Sequence, residues 1–355
     1  MSRTKIASGG IEITDFCNLN CLHCYIGKVQ TPKHIDLNRL LYIVDEFIKY
    51  KADYVVISGG EPFMHPQIDE IIDEIGKKYC YFPFIINTIG SFLNDYYINK
   101  IKKYKNIQLQ ISLDGATKRV HEQQHGSDTF CKIYKVLKRL KNVSRERKII
   151  RMTVSKINYR DCVEVAKLSD RFNTDISYSY VCKIGRANQN WDKLRMSLAQ
   201  QMYVDEEIKR YSKISGRIIV PPQSVLTCPF ESYNHIFGAT VHTNGDVDIC
   251  TCLDGKYVVG NIFQDQFSEI LNSATIDTLT QKILSRKEKL KSSKCNNCII
   301  NFKCQQGCIG RATYLGDEFG LDDQCDYRKA LMFKNFYMHL NKKNNSKQSN
   351  NFVLE

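Results

Sequence analysis

Three cysteines, Cys17, Cys21 and Cys24, sit directly behind a short apolar run from Ile11 to Thr14. Three thiolates with three and two residues between them can each hold one iron of a four-iron cubane, because soft sulfur suits such clusters and the cube takes one ligand per iron. The fourth iron is then left without a protein ligand, which makes it a place to bind and reduce a small molecule. Zinc is the competing reading, but zinc knuckles pair their thiolates two by two and want a fourth Cys or His nearby. His23 lies inside the loop, two residues after Cys21, and is badly placed to complete a tetrahedron.

Around this loop the first two hundred residues alternate short apolar runs with amphipathic segments, the pattern of repeated βα units on a parallel sheet. Strands are expected at Ile11 to Thr14, Tyr54 to Ser58, Phe82 to Asn87, Ile107 to Leu113, Lys148 to Val154 and Asp175 to Val181. Helices between them are carried by Leu37 to Ile48, Ile68 to Ile75, Ile98 with Ile101, Phe130 to Leu140, and Asp161 to Arg171. Six units are two short of a closed eightfold barrel, so the expected fold is α/β, a partial (β/α)6 TIM-like barrel followed by a small cysteine-rich domain. In such a sheet the chemistry belongs at the C-terminal ends of the strands. The cysteine loop is there, as are Gly59-Gly60-Glu61-Pro62 after strand two, Asn87 after strand three, and Ser112 with Asp114 after strand four. The glycines let backbone approach a ligand closely, Glu61 can meet an ammonium group, and the short polar groups suit ribose hydroxyls.

Fifteen cysteines with no export signal argue for metal over disulfides, because the cytosol keeps thiols reduced. The chain is expected in the cytoplasm, since no signal-peptide block and no membrane-length apolar run is present. The 51 Lys and Arg against 38 Asp and Glu give a formal charge of +13. The lysines are spread over helix faces with no aromatic stripe among them, so nucleic acid is not expected as a partner. Three iron–sulfur clusters would also bring the charge to roughly +8.

With its Cys17-x3-Cys21-x2-Cys24 loop, its Gly59 to Pro62 turn, and Ser112 and Asp114, the chain resembles the radical S-adenosylmethionine (SAM) superfamily over residues from about 10 to 190. The resemblance implies an open iron chelated by the amino and carboxylate groups of SAM, held by the glycine turn. Reductive cleavage would yield a 5'-deoxyadenosyl radical that abstracts hydrogen from substrate. His23 stands where members often carry an aromatic residue that packs on adenine, and Arg151 on strand five is the candidate for the SAM carboxylate. A one-electron donor of flavodoxin or ferredoxin type is implied as an external partner.

Residues 191–227 read as a bridge with a helix from Ser197 to Tyr211, and 228–340 as a cysteine domain. Thr240 to His242, Asn244-Gly245 and Val247 to Ile249 predict a β-hairpin. Eight cysteines, Cys228, Cys250, Cys252, Cys295, Cys298, Cys304, Cys308 and Cys325, can complete two four-thiolate sites; Cys295-x2-Cys298 alone also fits half of a zinc ribbon. Their pattern is similar to the SPASM extension of radical SAM enzymes. That resemblance implies one auxiliary [4Fe-4S] cluster on Cys228, Cys250 and Cys308, with Cys252 or an open iron as the fourth position. A second cluster falls on Cys295, Cys298, Cys304 and Cys325. After Cys325 a helix through Leu331, Phe333 and Phe336 is expected to pack on the core, and 341–355 to be a disordered tail.

Three clusters resemble the equipment of maturases that oxidise or cross-link a peptide or protein side chain, which is the leading expectation. No leader-binding module is apparent before strand one, so a peptide would be recognised at the barrel mouth, the bridge, or through a partner. Cys182, at the end of strand six, is a candidate hydrogen donor, with a structural thiol as the plainer reading. Sulfatase-maturase-type formylglycine formation is an alternative, although Cys250 is followed by Thr251 and not by the Asp typical of that branch. Dehydrogenation of a sugar or aminocyclitol and a non-catalytic iron–sulfur scaffold or sensor are the others.

Overall fold

On the fourth strand Ile107, Leu109 and Ile111 alternate with Gln108, Gln110 and Ser112, a period of two that gives the strand one face for the core. The computed structural model describes residues 3, 5–27, 31–222, 236–253, 255–304 and 306–334. All six expected parallel strands are present in order: β1 (Ile6–Thr14), β2 (Val55–Gly59), β3 (Phe84–Thr88), β4 (Ile107–Ser112), β5 (Lys148–Val154) and β6 (Asp175–Tyr180). Between them run α1 (Leu37–Lys49), α2 (Ile68–Lys77), α3 (Asp95–Lys103), α4 (Lys118–His125), α5 (Phe130–Arg139) and α6 (Cys162–Arg171). On β3, β4 and β5 buried and half-buried positions alternate strictly. The buried set, including Phe84, Leu109, Ile111, Ile150 and Met152, joins the helices in one core. The half-buried set, Asn87, Gln110, Ser112 and Arg151 among them, faces the open lumen.

β1 begins at Ile6 and not at Ile11, because Ala7 to Gly10 carries no apolar alternation and is held by neighbours on both sides. α4 was also invisible in the apolar pattern, since its inward face carries His121, Gln124 and His125.

After β6 come two short helices, α7 (Arg186–Gln189) and α8 (Trp191–Leu194), and then α9 (Leu198–Ser215). The N-terminus of α9 is closed by a capping box of Ser197 and Gln200, which satisfies two otherwise orphaned amides. The expected hairpin is formed by β7 (Ile236–Val241) and β8 (Asp246–Asp248), extended by β9 (Val258–Asn261). β7 also pairs in parallel with β1, so one nine-stranded sheet runs β6-β5-β4-β3-β2-β1-β7-β8-β9. α10 (Phe267–Leu271) packs Phe267 edge-on against Phe47 and Tyr50, with ring centroids 5.5 and 5.2 Å apart. α11 (Ala274–Lys291) and α12 (Ile309–Tyr314) follow. The chain is helical again over 325–334; Leu331 packs on the core, but Phe333 is 50% exposed. Two residues apart on a helix point to nearly opposite sides, so both could not face the core. Phe336 and the tail 341–355 lie outside the described residues. Among the described residues no helix is long and apolar enough to cross a membrane.

Candidate active site

The cysteine loop leaves β1 and is tied to the turn after β2. Gly60 N donates to Thr14 O at 2.7 Å and Glu61 N to Phe16 O at 2.8 Å. A Cβ on Gly60 would overlap the Phe16 carbonyl, and one on Gly59, at φ +125°, the Thr14 carbonyl. The close approach that these glycines permit is therefore made by the chain's own loop. Pro62 opens a short 3-10 turn, and the Glu61 carboxylate, fully buried, accepts from Phe63 N (3.1 Å), Thr88 Oγ1 (2.7 Å) and Ile89 N (2.8 Å). Burial pushes its pKa up to about 7, against the pull of these three bonds. Within the protein the carboxylate clamps the ends of β2 and β3 together.

On its other side the loop is braced by the segment after β6. Arg186 N donates to Cys24 O at 2.8 Å and Asn190 Nδ2 to Leu22 O at 3.3 Å. Gly185, at φ +53°, passes so close that a Cβ would overlap the Tyr25 carbonyl.

Each of the three sulfurs has an N–H or ring nitrogen beside it. Leu19 N donates to Cys17 Sγ at 3.4 Å, the amides of Gly27 and Ile26 reach Cys24, and His125 Nδ1 lies 3.3 Å from Cys21 Sγ. Burial pushes the Cys17 thiol up to about 12; the Leu19 amide opposes this rise, and the charges of Cys21, Glu61 and Cys24 add to it. Three clustered thiols, each with a donor placed for a sulfur anion, fit a cationic metal cluster that ionises them.

Asp114 is buried and bonded within the protein. Its Oδ2 lies 2.7 Å from His125 Nε2 and accepts from Gln124 Nε2 at 2.8 Å; Oδ1 accepts from Thr153 N at 2.7 Å. Opposing the cost of burial, His125, His23 and His121 hold its carboxyl well below the usual range. His23 turns its ring to this acid, with Nε2 3.5 Å from Asp114, and packs edge-on against His125 at 5.0 Å. In the lumen Gln110 Nε2 donates to Asn87 Oδ1 at 2.8 Å, Ser112 is half-buried, and Arg151 reaches Ser177 Oγ at 3.4 Å. Arg151 is a lumen cation, close enough to Asp114 and Cys182 for their charges to raise its pKa against the lowering by burial.

Sequence reasoning missed a second polar chain. The Tyr25 hydroxyl is bonded to Glu12 and Ser58. His242 bridges Glu12 (2.8 Å) and Asp248 (2.9 Å), joining β1 to the hairpin. No motif carries these residues; only the pairing of β1 with β7 brings them together.

The later cysteines form two groups. Burial, then the charges of Cys325, Cys298 and Cys304, pushes the Cys295 thiol up, which places these four together. Arg328 and Lys329 lie beside Cys325, and Arg286 beside Cys295, cations that offset a negatively charged four-thiolate cluster. Cys250 follows β8, Cys252 lies in the turn Thr251–Leu253, and Cys308 caps α12. The Cys252 thiol is in hydrogen-bond contact with Cys182, Cys250 and Cys308. Cys228 lies outside the described residues. Cys182 is not a lone thiol facing the lumen, as a hydrogen donor would be. Its Sγ accepts from Arg311 Nη1 at 2.7 Å, and Arg311 is fixed by Asp323 through two bonds of 2.6 Å.

A cavity of about 420 Å³ lies where the ends of β5 and β6 meet the bridge and the cysteine section. Val154 and Val181 from the strand ends, Trp191 and Arg195 from the bridge, and Arg311 and Tyr327 from the cysteine section line it.

The family profile described as Radical SAM superfamily matches residues 11–169, and that described as iron-sulfur cluster-binding domain matches 228–299. The chain is similar to mycofactocin maturase MftC of Mycobacterium ulcerans, 24% identical over 329 residues that cover 88% of this chain and 86% of that protein. It is also similar to the antilisterial bacteriocin subtilosin biosynthesis protein AlbA of Bacillus subtilis, 25% identical over 302 residues, 80% of this chain and 64% of that one. The crystal structure of Streptococcus suis SuiB bound to precursor peptide SuiA superposes with a TM-score of 0.74 at 17% identity, covering 91% of this chain and 76% of that chain. A cysteine loop at the mouth of a partial barrel, continued by a cysteine-rich hairpin section, makes this chain an enzyme of the radical SAM superfamily with a C-terminal SPASM domain, which brings a [4Fe-4S] cluster and SAM to the barrel and auxiliary iron–sulfur clusters to the domain.

Proposed function

We propose that this enzyme oxidises or cross-links a side chain of a peptide, and that it carries three [4Fe-4S] clusters. The first is assigned to Cys17, Cys21 and Cys24. One auxiliary cluster is assigned to the group of Cys250, Cys252 and Cys308, with Cys228 from the family pattern, and the other to Cys295, Cys298, Cys304 and Cys325. When bound, the first cluster and SAM supply a 5'-deoxyadenosyl radical for hydrogen abstraction. The chain's own residues position the reacting groups. Glu61 and Gly60 hold the cysteine loop at the strand ends, His125 and the loop amides face its sulfurs, and Arg151 presents a cation to the SAM carboxylate in the lumen.

The observation that carries the reading is the cavity that the ends of β5 and β6 share with the bridge and the cysteine section. Arg311 lines it and donates to Cys182 Sγ, so a substrate group held there borders the first auxiliary site. A volume of about 420 Å³ suits one or two side chains of an extended peptide. The names of MftC and AlbA and the peptide-bound SuiB structure support a peptide over a sugar.

The test is anaerobic turnover of the reconstituted enzyme with SAM, a low-potential reductant, and synthetic peptides encoded beside its gene, followed by mass spectrometry. Loss of two hydrogens from a peptide together with 5'-deoxyadenosine formation is expected. Formation of 5'-deoxyadenosine with an aminocyclitol, and unchanged peptides, would overturn the proposal.

A further inference from the structure

We propose that Cys182 is an iron ligand of the first auxiliary site, so that the barrel itself supplies a thiolate to a cluster of the SPASM domain. The inference rests on the assignment of an auxiliary cluster to Cys250, Cys252 and Cys308, and it goes beyond the family's cysteine pattern, which begins at Cys228.

Three observations carry it. Cys182 stands two residues beyond β6, where Val181 N still continues the sheet by donating to Val154 O at 3.0 Å; its sulfur is therefore delivered by a rigid element. That sulfur touches Cys252, which in turn touches Cys250 and Cys308. Thiols from three separate chain segments, the strand end, the hairpin and the start of α12, thus converge on one place. Such a convergence has no packing purpose in a protein kept reduced, whereas a four-iron cluster needs four thiolates from about this many directions.

The third observation is Arg311. Its Nη1 donates to Cys182 Sγ at 2.7 Å, its Nη2 to Val181 O at 3.1 Å, and its Nε and Nη2 to Asp323. A guanidinium fixed on three sides and aimed at a sulfur fits an anionic, metal-bound thiolate better than a neutral thiol. A hydrogen-atom donor would need the opposite: an S–H bond free to meet a carbon radical. Cys182 then takes the fourth position in place of Cys228, and with Cys250, Cys252 and Cys308 it completes four thiolates. The first auxiliary cluster is then closed, and it serves to move electrons without binding substrate at an open iron.

The test compares the wild-type enzyme and Cys182→Ser, both reconstituted anaerobically, by iron content and by electron paramagnetic resonance of the reduced clusters. Ser is the closest oxygen analogue of Cys, and its hydroxyl can still accept from Arg311. The exposed thiol variant Cys131→Ser serves as control. Expected are about twelve irons in the wild type and the control. Cys182→Ser should fall toward about eight, or keep its irons with altered auxiliary g-values, while the SAM-cluster signal is unchanged. Twelve irons and identical auxiliary spectra in Cys182→Ser would overturn the ligand assignment alone. About eight or fewer in the wild type would overturn the three-cluster reading and the ligand assignment with it.

If Cys182→Ser does not fold, Arg311→Lys gives the second reading. It removes the fork that holds the Cys182 sulfur and should shift the midpoint potential of one auxiliary cluster while that of the SAM cluster stays. An unshifted auxiliary potential in a folded Arg311→Lys enzyme would also overturn the proposal.

Discussion

Replacing Glu61 by Gln separates a carboxylate that clamps the fold from one that binds SAM. Glu61 has no exposed surface; Oε1 accepts from Phe63 N and Thr88 Oγ1, and Oε2 from Ile89 N. Gln offers one oxygen and one amino group. With its oxygen toward Phe63 and Thr88, the amino group meets Ile89 N–H donor to donor. Flipped, it meets Phe63 N–H in the same way. Either orientation leaves one buried backbone donor unpaired, at about 1–3 kcal/mol, and strands the amide hydrogens as well, so Glu61→Gln should destabilise the enzyme by about 2–4 kcal/mol. Urea denaturation of the reconstituted enzyme under anaerobic conditions reads this as a lower midpoint at unchanged slope. Equilibrium dialysis of the folded variant should find SAM affinity retained. Wild-type stability with SAM binding abolished would refute the reasoning and restore Glu61 as a direct partner of the SAM ammonium group.

His125→Phe removes the side-chain partner of Cys21 Sγ. If about 1.4 kcal/mol of that hydrogen bond is gained only on reduction, the SAM-cluster potential should fall by about 60 mV in a redox titration. Gly185→Ala forces a Cβ onto the Tyr25 carbonyl at a positive φ; the backbone strain alone costs about 1–3 kcal/mol, and iron at the first site should be lost while the auxiliary signals persist. Burial opposes a charge on His242, but Asp248 and Glu12 overcome it and raise its pKa from 6.5 to about 10. A raised pKa means that its contribution is complete below pH 6.5 and is lost as pH rises through 10. His242→Gln should therefore cost on the order of 2–3 kcal/mol at pH 6 and converge with the wild type toward pH 10 in denaturation curves.

Much of the architecture was legible along the chain. Six apolar runs of period two, separated by amphipathic segments, specify parallel βα units because each strand must hide one face under helices. Cys17, Cys21 and Cys24 announce their chemistry through spacing, since ligands within one loop need no tertiary contact to be recognised. The Asn244-Gly245 turn was readable for the same local reason. α4 was not, because its buried face is polar: His121, Gln124 and His125 are inside only because Asp114 and the Cys21 sulfur are there to meet them.

Side-chain roles were the weaker part of the reading. Gly60, Glu61 and Asp114 stand at strand ends as expected, and the structure adds their bonds to Phe16, Thr88, Ile89, Thr153 and His125. A polar residue at a strand end has the same appearance in sequence whether it faces a cofactor or its own fold. Cys182 is the sharpest case, separated by 70 residues in the numbering from Cys252 and by 129 from Arg311, the residue that donates to it. Local periodicity and spacing decided the strands, the cluster loop and the family. The pairing of β1 with β7 and the packing of α12 on the hairpin decided which residues meet, because contacts between distant segments depend on how the sheet closes and leave no periodic trace in the chain.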